Sequence, residues 1–213
     1  MTTGILALQG AFIEHKRKLE ELGETCFEIR QLSDLERPFD RLVLPGGEST
    51  TQAKLLRDLG LFEPLRERIA KGMPVLATCA GLILLAEHVE GTGDLRNLNP
   101  AAANERLQVI GFATLPATVQ RNGYGRQLAS FRTQAEFSGL GEIPMTFIRA
   151  PKIACVSEGV EVLAEIDNEP VAVRYGNQIG LAFHPELDMD NRIHEMFLNL
   201  WSQRSVALRA LYE

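Results

Sequence analysis

The sequence predicts an α/β fold of three layers, a mostly parallel central sheet with helices on both faces. Three observations predict it. Short apolar runs alternate with amphipathic helical stretches in the order β-α-β-α-β-α, the pattern of a parallel sheet covered by helices. Runs such as RLVL at 41–44 and PVLAT at 74–78 are apolar without alternation, as strands buried on both faces are. Each of these runs ends in a turn-forming or small-residue segment before the next helical stretch.

Taken in order, Gly4 to Leu8 is the first strand and ends at Gln9-Gly10. Phe12 to Leu22 reads as a helix, with Ile13, Leu19 and Leu22 near one face and Glu14, Lys16, Arg17 and Lys18 outward. Gly23 suits its C-terminal cap. Cys26 to Arg30 alternates as a strand does. The strand Arg41 to Leu44 runs into Pro45-Gly46-Gly47, and helical stretches follow over Ser49 to Leu59 and Phe62 to Lys71. Pro74 to Thr78 is the next buried strand, and Gly81 to His88 reads as the helix after it.

Gly91 to Arg106 changes character and reads as a surface loop. From Val109 the chain is strand-rich, with turns at Gly123-Tyr124-Gly125, Asp167-Asn168-Glu169 and Gly176-Asn177. Gln178 to Phe183 is the last strand, and Asn191 to Leu211 is a closing amphipathic helix. With 213 residues, no internal repeat and no linker, residues 1–213 are expected to form a single domain.

A net charge of −6 without clustered Lys and Arg argues against a broad nucleic-acid surface. No apolar run approaches the length of a membrane span. Three cysteines, Cys26, Cys79 and Cys155, with no CxxC pair, argue against a disulfide framework and for a reducing, cytoplasmic setting.

The sharpest feature is Thr78-Cys79-Ala80-Gly81 between a buried strand and a helix. A nucleophile there sits in a tight turn that needs small neighbours, and the following helix aims N–H groups at the sulfur. The competing reading is a buried structural cysteine. The second feature is Phe183-His184-Pro185-Glu186 at the end of the last strand. Sites in open parallel sheets form at the carboxyl ends of strands, where Cys79 and His184 both fall. His184 can take and return the thiol proton, and Glu186 can orient the imidazole. The competing reading is a capped strand end with a solvated Glu.

The third feature is Leu44-Pro45-Gly46-Gly47-Glu48-Ser49, where paired glycines let N–H groups converge on an oxyanion. The bland alternative is a turn with Ser49 as helix N-cap. Gln9 reads as a strand-end polar residue at the edge of the same pocket. Arg121 and Arg149 can grip a carboxylate, or serve as surface ion-pair partners. His15, His88 and His194 lie on helical stretches without metal-ligand spacing and are expected to be solvated or packed. Cys26 and Cys155 are expected to be structural.

Together LPGGEST at 44–50, TCAGL at 78–82 and FHPEL at 183–187 resemble the class I glutamine amidotransferases, whose fold is flavodoxin-like. LALQGAFIEH at 6–15, RNGYGRQ at 121–127 with Ser130-Phe131 after it, and FIRAP at 147–151 are similar to the glutaminase subunits of pyridoxal 5′-phosphate synthases. The resemblance runs from Gly4 to about Trp201. It implies a glutaminase with Cys79 as nucleophile and His184 and Glu186 as relay partners. It implies that Gly46, Gly47, Glu48, Arg121, Ile148 and Arg149 bind L-glutamine, and that Gly47, Ala80 and Gln9 build the oxyanion site. It implies no cofactor and no metal, and a (β/α)₈ synthase subunit as protein partner that receives the ammonia. The stretch from Gly91 to Gln108 is longer than expected for that family. Two rivals stand beside this reading: a γ-glutamyl peptidase on the same fold, and a non-catalytic amino-acid-binding regulatory subunit.

Overall fold

The computed structural model describes residues 1–90, 111–121 and 130–209. The expected loop at Gly91 to Gln108 and most of the 121–127 motif lie outside the described residues. Among these residues there are twelve strands and five α-helices, numbered in chain order.

The first half alternates as its apolar runs require: β1 (Thr2–Leu6), α1 (Phe12–Glu21), β2 (Thr25–Ile29), β3 (Arg41–Leu44), α2 (Ser49–Asp58), α3 (Phe62–Ala70), β4 (Val75–Thr78) and α4 (Ala80–Leu85). The second half is strand-rich: β5 (Ala86–Glu90), β6 (Leu115–Gln120), β7 (Ser130–Phe137), β8 (Gly141–Ile148), β9 (Lys152–Val156), β10 (Glu161–Ile166), β11 (Glu169–Tyr175) and β12 (Gln178–Leu181). A 3₁₀ turn at Pro185–Leu187 leads to α5 (Arg192–Arg209).

The main sheet has seven strands in the order β10-β11-β12-β4-β3-β1-β2. β2, β1, β3, β4 and β12 run parallel. β11 and β10 extend that sheet antiparallel. From β1 the chain steps one way to β2, whereas from β3 to β4 it steps the other. Right-handed crossovers therefore put α1 on one face and α2 and α3 on the opposite one. The strands between them are sealed: Ile5, Leu42, Val43, Leu44, Leu76, Ile179 and Leu181 have no exposed surface. A three-stranded sheet, β5-β6-β9, and the β7-β8 hairpin complete the strand-rich half.

Three expectations need correction. The helix foreseen over Gly81 to His88 stops at Leu85, and Ala86–Glu90 becomes β5, paired in parallel with β6. The returning chain satisfies the last helical carbonyls instead, as Thr114 N–H donates to Leu85 O at 3.0 Å. Tertiary pairing thus overrides local propensity. The first strand starts at Thr2 rather than Gly4 because Thr2 and Thr3 already pair with Thr25 and Cys26. On α1, Ile13 is 45% exposed, and His15 with Leu19 takes the buried face. Positions 15 and 19 lie one turn apart, whereas 13 points elsewhere at about 100° per residue.

Candidate active site

Cys79 and His184 reach the same place because β4 and β12 are neighbouring parallel strands. Leu181 pairs with Thr78, and Cys79 N–H donates to Leu181 O at 2.8 Å. The chain beyond each strand therefore emerges at the same sheet edge. His184 is pinned there, its N–H donating to Thr146 O at 2.8 Å.

Cys79 sits at φ 49° and ψ −101°, in a sharp turn between β4 and α4. This is the left-handed region, costly for a residue with a Cβ. The turn fits only because Gly81 follows: a Cβ there would lie 2.0 Å from Leu44 O. The Cys79 side chain is almost buried, with Sγ 3.9 Å from Ile148 O.

His184 Nδ1 meets Glu186 Oε1 at 2.7 Å, and both side chains are buried. Nε2 of His184 makes no aligned hydrogen bond, and His184 and Cys79 line the same cavity. Burial works against a charged imidazole here. The neighbouring Cys79 sulfur and the Glu186 carboxylate outweigh it and push His184 up to about 10. Burial likewise opposes charge on Glu186, yet His15 and the bond from His184 hold its carboxyl below the usual range.

A cavity of about 670 Å³ opens over the pair. Its wall includes Gln9, Gly46, Gly47, Glu48, Arg121, Ile148 and Arg149, so all six positions expected to bind substrate surround it. Ala80 and Glu186 do not line it, Glu186 being bonded to His184 Nδ1. Gly46 must be glycine: a Cβ would lie 2.3 Å from His184 Cε1. Its carbonyl accepts from Ala11 N–H at 3.2 Å and its N–H donates to Thr78 Oγ1 at 3.0 Å. Gln9 Oε1 accepts from Glu48 N–H at 2.7 Å, which ties the end of β1 to the glycine turn.

Glu48, not Ser49, caps α2, accepting from Thr51 N–H at 2.7 Å. Burial pushes its carboxyl up, but the Thr51 and Thr50 donors win and hold it below the usual range. Arg121 Nη2 lies 2.9 Å from Glu48 Oε1 and 2.7 Å from Ser49 Oγ. Arg149 is exposed at the rim with φ 44°, its N–H donating to Ser130 Oγ at 3.2 Å. The arrangement can attack a carbonyl with a sulfur, move a proton through one imidazole, and hold a small zwitterion between a carboxylate and two guanidinium groups.

Two side chains were undervalued in the sequence. His15 and His194 are completely buried, His15 lying 3.3 Å from Glu186 and bonded on its other side to His194. A histidine at the inward turn of an otherwise charged helix was the available signal. His88 lies on β5 and is exposed, not on a helix. Cys155 is exposed on β9 and Cys26 half-buried on β2, and all three cysteines are free.

Fold and site together define a glutamine amidotransferase class. A solved structure described as a glutamine amidotransferase superposes with a TM-score of 0.82 at 41% identity, covering 93% of this chain and 97% of that one. The chain belongs to the SNO glutamine amidotransferase family, whose model matches residues 5–203. It is 57% identical over 199 residues to a pyridoxal 5′-phosphate synthase subunit PdxT of Desulfitobacterium hafniense, covering 93% of this chain and 92% of that one. A PdxT of Methanocorpusculum labreanum is 53% identical over 200 residues, covering 94% and 97%. One from Streptococcus pneumoniae is 47% identical over 208 residues, covering 96% and 100%.

Proposed function

We propose that this chain is the glutaminase subunit of a pyridoxal 5′-phosphate synthase: residues 1–213 act as one amidotransferase domain that hydrolyses the side-chain amide of L-glutamine. The ammonia passes to a (β/α)₈ synthase subunit for vitamin B6 synthesis, in the cytoplasm. Family membership and the PdxT relatives support the reaction and the existence of a partner. Among the described residues, no helix is long and apolar enough to cross a membrane.

The observation that carries the reading is the meeting of Cys79 and His184 in one cavity walled by Glu48, Arg121 and Arg149. Glutamine lies with its carboxylate toward Arg149, while Arg121 holds Glu48 for the α-ammonium. Cys79 Sγ attacks the amide carbon. N–H groups of Gly47 and Ala80 receive the oxyanion, and Gln9 sets the turn that carries them. The imidazolium of His184 gives its proton to the departing nitrogen, so ammonia leaves and a thioester forms. His184 then takes a proton from water, the hydroxide attacks the thioester, and glutamate departs as the thiolate is restored.

Cys79→Ala is expected to abolish glutaminase activity while the circular dichroism spectrum stays that of the folded parent. Continued glutamine hydrolysis by that variant, assayed with the synthase partner present, would refute the mechanism.

A further inference from the structure

Behind the cavity, buried polar side chains continue the relay beyond the residues the hydrolytic steps use. His15 on α1, Thr78 at the end of β4, Glu186 and His194 on α5 are all buried, His15 and His194 completely. Oε1 of Glu186 is occupied by His184, while Oε2 has no aligned hydrogen bond. His15 Nε2 lies 3.3 Å from that oxygen and 3.2 Å from Thr78 Oγ1. On its other side, His15 Nδ1 lies 3.0 Å from His194 Nε2.

The protons can be placed by elimination. An ionised carboxylate only accepts, so His15 presents N–H, not a lone pair, at Nε2. Burial pushes His15 down against the pull of Glu186, which keeps the ring neutral. A neutral ring protonated at Nε2 has a bare Nδ1, so His194 must supply the proton between them from its Nε2. That leaves Nδ1 of His194 as a bare acceptor, and it is indeed a buried nitrogen without a partner. Burial, with His15 and Lys18 nearby, pushes His194 well below its ordinary value, in keeping with a neutral ring.

We propose that His15 is a positioning residue for the Cys79–His184–Glu186 relay: its Nε2–H bonds Thr78 Oγ1 and presents its positive end to the outer oxygen of Glu186 3.3 Å away, and His194 fixes which His15 nitrogen carries that proton. The inference rests on the glutaminase mechanism given above. Without the facing N–H dipole of His15, the buried carboxylate would rotate or take up a proton, and either change weakens its hold on His184. The charged and titratable groups that bear on the chain are His184 and Cys79 from the cavity side, and Glu14 and Lys18 on α1.

The test compares His15→Leu with His15→Gln, whose side-chain amide restores a donor, in the full-length chain. The first readout is the rate of Cys79 alkylation by iodoacetamide across pH 5–10. The second is kcat and KM for glutamine with the synthase partner present. His15→Leu is expected to need a pH higher by about one unit for the parent alkylation rate. Its kcat should fall about tenfold or more with KM nearly unchanged, as for a misplaced relay group. His15→Gln should recover most of both. Should His15→Leu not fold, His15→Asn, whose shorter amide falls short of Glu186, takes its place. An unchanged alkylation profile in the donor-less variant, or equal losses in both variants, would overturn the proposal. Persistent turnover in Cys79→Ala would instead overturn the mechanism beneath it.

Discussion

At His184 the surroundings decide the charge. The Cys79 sulfur and the Glu186 carboxylate favour the imidazolium more than burial disfavours it, and the group rises to about 10 in the folded chain. Its ordinary value in an unfolded chain is about 6.5. A group raised on folding stabilises the fold in full below its unfolded value and loses that contribution as pH climbs through the folded one. Urea denaturation between pH 6.5 and 10 should therefore give a falling unfolding free energy, and Glu186→Gln should flatten that fall. The same substitution should lower turnover by on the order of 10²-fold, since the imidazole loses the partner that orients it. A Glu186→Gln stability profile parallel to the parent would contradict this account of the pair. The pair itself was readable from FHPE, because two residues apart on a strand-end turn bring a carboxylate back to an imidazole. The contact of His15 with Glu186 was not readable. It depends on how α1 lies on the sheet, and no local pattern encodes that.

The strand–turn–helix at Cys79 stores strain. A φ of 49° with ψ −101° costs a residue bearing a Cβ roughly 1–3 kcal/mol. Glycine relieves that strain but loses about 0.5–1 kcal/mol more conformational freedom on folding than alanine. Cys79→Gly is therefore expected to be inactive yet more stable by about 1 kcal/mol than Cys79→Ala, which lacks the sulfur equally but keeps a Cβ. Thermal unfolding of the two proteins measures it, and a less stable Cys79→Gly would show that the turn is not strained. The small residues of TCAGL made this turn legible, since Gly81 packs against the Leu44 carbonyl with no room for a Cβ. The end of α4 was not legible. AEH reads as helix locally and becomes part of β5 only through its pairing with β6. Glu48 as the cap of α2 was missed for a related reason. Ser49 is the better cap by residue type, but the chain enters the helix one residue earlier and buries the serine.

For the molecule as a whole, the repeating βα order was enough to give a parallel sheet, and right-handed crossovers fix its faces. The strand order was not written in the pattern. Nothing local says that β12, made last, inserts between β4 and β11. The side sheets were foreseen only as strand-rich sequence, because alternation identifies strands and not their partners. The cavity needs all of this at once. Gln9 comes from the end of β1, the glycine turn from β3, Cys79 from β4, Ile148 from β8 and His184 from β12.

That strand order also sets when a growing polypeptide becomes chemically competent. On the ribosome, Cys79 emerges long before His184, its base in the proposed mechanism, and strands β1 to β4 can align without β12 between β4 and the antiparallel edge. During that interval the thiol lacks the imidazole that would sharpen it. Under that mechanism an unfinished chain would not squander glutamine, and reactivity would arrive together with the last strand. Ribosome-stalled chains ending before Gln178 should react with iodoacetamide at neutral pH no faster than an ordinary thiol, whereas chains exposing the segment through Glu186 and α5 should react at the mature rate.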